Sequence, residues 1–149
     1  MKSKAPLALM EQMVMILVFA LAAALCLQAF VKSDAISARS DARDRAVNLC
    51  QTAAEAVRYA EGDAEQAARL MELSVGFSAD DNVLEAIYNA DWTPCDSREY
   101  EYRLTVQPME TELPGLAMAK VQVWQSGGAQ PLFELETAWQ TGEEAQGHE

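Results

Sequence analysis

Apolar positions along this chain follow three successive rhythms. From Met13 to Val31 they form a run of nineteen residues without a charge, and a single acid, Glu11, stands two residues before it. As a helix rising about 1.5 Å per residue, that run spans roughly 28 Å, close to the hydrocarbon core of a bilayer. From Ser33 to Glu61 there is neither Gly nor Pro, and Ala46, Leu49, Cys50, Ala53, Val57 and Ala60 recur at three- and four-residue steps. That spacing marks one buried stripe on an amphipathic helix. Pro6 is tolerated in a first helical turn, so one helix of about 80 Å is expected from Pro6 to Glu61. Gly62 supplies a helix stop and Asp63 a new N-cap, which predicts a short second helix over Ala64–Leu73.

The last third changes to a period of two. Tyr100, Tyr102, Leu104 and Val106 alternate with polar residues, as do Ala117, Ala119, Val121 and Val123, then Phe133, Leu135, Thr137 and Trp139. Pro114-Gly115 and Gly127-Gly128 supply the turns between them. Three antiparallel strands in a meander are expected, each with one wet face. Val83–Tyr88 is either a fourth strand or a short helix, with Asn89-Ala90-Asp91 as the turn into Trp92. Val75–Ser78 and the polar run Ala79–Asn82 break the pattern. A one-faced sheet needs a lid, and the stripe on the long helix is the large one available. The expected fold is therefore α+β: a long N-terminal helix, half membrane and half amphipathic, packed on a 3–4-stranded antiparallel meander.

Charge narrows the range of partners. The net charge is −12, and beyond Val31 there are 22 acids against 9 bases. Such a domain repels phosphate backbones, and the nearby bases Lys32, Arg39, Arg43 and Arg45 are interleaved with Asp34, Asp41 and Asp44. Nucleic acid is not expected as a direct partner. The apolar run exceeds a signal peptide's usual core of about 7–15 residues, and Leu25 stands where a lipoprotein signal needs a small residue before Cys26. A retained anchor is the better reading. Lys and Arg counts alone would place the C-terminus inside, since two lysines precede the run and four bases follow it closely.

The basic leader Lys2-Ser3-Lys4, followed by Leu7-Ala8-Leu9-Met10-Glu11 running into the apolar helix, resembles the type IV pilin-like family, pseudopilins included. Members carry a glutamate at the fifth position of the mature chain, which Glu11 matches if that chain begins at Leu7. The resemblance extends over the architecture of nearly the whole chain, and it implies an extracytoplasmic C-terminal domain. Two departures stand out. The family has glycine before its processing site and usually phenylalanine after it, whereas this chain has Pro6 and Leu7. A peptidase selecting a small, flexible residue would cut poorly after a proline of fixed φ. The family's frequent C-terminal disulfide loop also lacks its cysteines.

Individual residues admit two readings each. Glu11 either neutralises a neighbouring subunit's amine and sets axial register, as the resemblance implies, or favours the helix dipole in a first turn. Cys50 and Cys95 either form a disulfide or remain separate thiols, since spacing does not reveal geometry. Asp80, Asp81 and Asn82 lack the spaced ligands of a calcium loop and are expected in a turn or cap. Tyr100, Tyr102 and Trp139 share the core parity of their strands. Trp124 has the opposite parity and is the best candidate for a partner contact. The one histidine, His148, lies in the tail, so no His-based triad or metal cluster is expected, nor any cofactor or enzymatic activity.

The expected organisation is a basic leader or cytoplasmic tip (residues 1–6), a transmembrane helix (7–31), a pilin-like extracytoplasmic domain (32–140) and a disordered acidic tail (141–149). The expected function is that of a single-pass membrane subunit or accessory of a type IV pilus, competence pilus or secretion pseudopilus. Its partners would be the lipid bilayer, other pilin-like subunits and the assembly machinery. The alternative is a non-polymerising, membrane-anchored binding or scaffold domain of the cell envelope.

Overall fold

The computed structural model describes residues 5–80 and 83–141. Helix α1 runs from Ala5 to Tyr59 and helix α2 from Ala64 to Leu70. Five strands follow: β1 (Phe77–Asp80), β2 (Val83–Tyr88), β3 (Tyr102–Met109), β4 (Leu116–Gln125) and β5 (Phe133–Gln140). The chain divides into two compact units, one through Asp41 and one from Ala42 onward.

In the first unit no described residue covers α1. Every side chain from Ala8 to Asp41 is exposed, and one stretch of the helix is long and apolar enough to cross a membrane. A helix apolar all round needs either a core or lipid to cover it.

In the second unit the expected stripe is buried. Ala46, Cys50, Ala53, Val57 and Ala60 all lie in the core, joined by Ala54 and Ala56, while Leu49 packs at its margin. Alanine on most of this face means that the helix contributes little side-chain volume to the layer against the sheet. The larger sheet side chains Leu84, Leu104, Val121 and Val123, all fully buried, fill the layer between. Each contributes about 1.5–3 kcal/mol by leaving water.

The sheet is antiparallel throughout, with the strands in chain order β1-β2-β3-β4-β5. It therefore has five strands where three or four were expected. The segment Val83–Tyr88 is a strand, and its buried Leu84, Ala86 and Tyr88 alternate with half-buried neighbours. The additional strand is β1, in a segment whose sequence signalled only a break. At four residues, and with three of them exposed, it lacks the alternation that marks a strand. It exists because β2 offers an edge, on which Phe77, Ser78, Ala79 and Asp80 pair with Ala86, Glu85, Leu84 and Val83.

Boundaries also moved. Helix α1 stops at Tyr59, and Gly62 N donates to Val57 O at 3.0 Å. Glu61 (φ 50°) thus takes a left-handed position ahead of Gly62 (φ 89°), so two residues share the stop assigned to the glycine. Asp63 caps α2 as expected, accepting from Gln66 N at 2.9 Å. Glu72, at φ 56°, together with Leu73 N donating to Ala68 O, closes α2 before Leu73. Tyr100 precedes β3 and is half-buried.

Candidate functional site

Glu11 is the sole charge in α1 between Ala5 and Val31, and its side chain is exposed. Pro6 and Leu7, the positions of the expected processing site, fall in the first turn of the same helix. A helix of this composition holds one carboxylate near the end of an apolar span. Such a group is costly in lipid and is met there by headgroups or by a partner.

Cys50 and Cys95 are separate thiols. Cys50 faces β5, its Sγ 4.0 Å from the Phe133 carbonyl, and burial pushes its pKa up to about 12. Cys95 lies on the β1 side of β2, where its N–H donates to Ile87 O at 3.1 Å. At least three strand spacings, about 14 Å, separate these places, well beyond the roughly 7 Å between Cα atoms that a disulfide spans. The bridge that the sequence left open is not formed, because the two residues pack against different strands. Gly76 explains why Cys95 is held so close to β1. A Cβ there would stand 1.7 Å from Cys95 O, and φ is +67°, so only glycine admits this approach.

The outer face of the sheet is polar and lightly paired. Arg103 lies 3.8 Å from Glu85, Lys120 lies 3.5 Å from Glu136, and Gln122 donates to Glu134 at 2.9 Å. Exposed pairs of this kind add little stability. Trp124 belongs to this face, as its parity required, but it is half-buried and lies directly opposite Arg103. Asp80 ends β1, whereas Asp81, Asn82, His148 and the tail from residue 142 lie outside the described residues. Among the described residues no group of three or more His, Cys, Asp or Glu side chains is placed to hold a metal ion.

Beyond β2 a tight turn is built around Asn89, whose Oδ1 accepts from Asp91 N and Thr93 N, both at 3.0 Å. This turn carries Trp92 into a left-handed conformation (φ 63°) and stacks it on Tyr102 with ring centroids 3.9 Å apart. Burial, aided by Glu101, raises the Tyr102 pKa, while Arg45 on α1 opposes the shift. Tyr102 belongs to the core, and Trp92 packs against it.

The second unit also has a concavity that sequence patterning missed. A groove of about 730 Å³ lies between Glu55, Arg58 and Tyr59 at the end of α1 and Ala138, Trp139 and Gln140 on β5. Tyr59 stands 77% exposed on one wall. Trp139, expected in the core, packs at the core margin and also lines this groove, and its Nε1 is buried without a hydrogen-bond partner among the described residues. The available signal was an aromatic, Tyr59, placed off the apolar stripe at the helix end. The chain matches no family model, no curated protein and no solved structure.

Proposed function

We propose that this protein is a membrane-anchored, pilin-like subunit or accessory of an envelope filament or secretion pseudopilus. One observation carries the reading. A single helix, α1, bears an apolar half whose side chains are all exposed from Ala8 onward, and a second half whose alanine stripe is buried on a sheet. Such a helix serves two settings with the same apolar surface. In the bilayer, lipid covers Met13–Val31. In a filament, the equivalent helices of neighbouring subunits would cover it, and Glu11 would pair with a neighbour's amine and set the axial stagger. The α+β unit would lie outside the membrane.

Pro6 supports a second reading. A proline before the cut resists the extended fit a peptidase needs, and an unprocessed chain would remain a permanent anchor for a binding or scaffold domain. The intact mass and N-terminal sequence of the protein from its native membranes separate the two. Loss of residues 1–6 is the result expected for a filament subunit. An intact N-terminus would overturn the filament reading and leave the anchored domain.

A further inference from the structure

β5 is an edge strand, and its hydrogen bonding shows which backbone groups remain open. Thr141 N donates to Gly115 O at 3.0 Å. In the ladder, Leu116 faces Gln140 and Ala117 faces Trp139, so residues 115 and 141 form a hydrogen-bonded pair. Antiparallel ladders alternate such pairs with non-bonded ones. Trp139 and Thr137 therefore turn their N–H and C=O groups toward β4, whereas Gln140, Ala138, Glu136 and Glu134 turn theirs away from it. No other backbone or side chain among the described residues takes up these groups. Ala138 and Gln140 also line the groove opposite Arg58 and Tyr59.

Natural sheets guard such edges with lysine, proline or a bulge. On β5 the one irregularity comes at its start, where Leu132 and Phe133 both face Val123. From Glu134 to Gln140 there is no Lys and no Pro. Acids outnumber bases beside this edge: Glu134 and Glu136 on β5 and Glu55 across the groove, against Arg58 and Lys120, the latter 3.5 Å from Glu136.

We propose that the open edge of β5 is a docking site for a basic, extended segment of a partner protein. The segment adds a sixth strand against Glu134–Gln140 and lays a side chain between Tyr59 and Trp139. Main-chain pairing supplies affinity, and the groove selects the side chain. The acidic flank and the chain's net charge of −12 attract a basic partner and repel a second copy of this chain. This site is independent of whether the N-terminus is processed.

The test uses full-length protein in detergent micelles and a labelled eight-residue peptide alternating Lys with Val. Its controls are the same peptide with Glu for Lys, and one N-methylated at alternate residues. Saturable binding of the Lys peptide, with the amides of Ala138 and Gln140 becoming protected from exchange, is the expected result. Ala138→Pro removes one edge N–H at a position that β4 does not use, and should weaken binding about tenfold or more. The Glu134→Gln/Glu136→Gln variant removes two exposed carboxylates, one hydrogen-bonded to Gln122 and one paired with Lys120, and should also weaken it. Equal binding of the Glu or N-methylated peptide would overturn the proposal, as would unchanged affinity in both variants. Protection of Ala138 and Gln140 in the free protein would also overturn it, since the edge would then be covered by the chain itself or by a second copy.

Discussion

The indole of Trp139 lies directly over Gly62: a Cβ at Gly62 would stand 2.7 Å from Cζ2 of the ring. This contact fastens the end of the last strand to the turn that ends α1. It also explains why the residue there has no side chain, since φ is +89° as well. Gly62→Ala is expected to destabilise the fold by about 2 kcal/mol, combining a left-handed alanine with the displaced ring. Urea unfolding followed by circular dichroism and by tryptophan fluorescence would measure it. Wild-type stability in this variant would show that the ring does not rest on the turn.

Leu104 is fully buried at the centre of β3, flanked by Ala86 on β2 and Val123 on β4. Leu104→Ala leaves a cavity between two strands held in fixed register, and the expected loss is about 3 kcal/mol. The shift in denaturation midpoint at unchanged slope is the measurement. A loss below about 1 kcal/mol would mean that the sheet face is loosely packed.

Stability should fall in alkali. Burial raises the Cys50 thiol from 9.0 to about 12 and the Tyr88 phenol from 10.0 to about 12. Between about pH 9 and 12 the unfolded chain therefore gives up protons that the folded chain retains. Ionisation favours the unfolded state, so the contribution of both groups is intact below pH 9 and is lost as pH rises toward 12. Denaturant midpoints measured from pH 7 to 11 should be level at first and then decline. Cys50→Ala should make the decline shallower, and an identical decline in that variant would remove Cys50 as a cause.

The two thiols of the second unit should differ in access. Cys95 is half-buried and Cys50 is buried against Phe133. Maleimide applied to native protein without reductant should modify Cys95 first, with Cys50 reacting only after unfolding. Mass mapping of the labelled peptides decides this. Protection of both residues until a reductant is added would show that they are bonded.

Much of the fold is legible from local rules. Residues Ala46, Cys50, Ala53, Val57 and Ala60 repeat at the helical period, so their burial on one face follows from helix geometry alone. Leu104, Val106, Val121 and Val123 repeat at the strand period and share the inner face for the same reason. Asp63 announces α2 because its carboxylate satisfies an orphan N–H within three residues. In each case the deciding contact lies a few positions away along the chain.

Other features depended on partners distant in sequence. Phe77–Asp80 is a strand because β2 has an edge to fill, and no periodicity within those four residues expresses that. Trp124 is half-buried, and its cross-strand neighbour is Arg103, 21 positions earlier. Cys50 and Cys95 remain apart because one packs toward β5 and the other beyond β2. The groove beside Trp139 joins the end of α1 to the end of β5, two segments about 80 residues apart. The sequence by itself determined the elements, the apolar span and the buried stripe, through interactions between near neighbours. Tertiary structure alone decided which edges stay open and which side chains meet, because both depend on register between strands far apart in the chain.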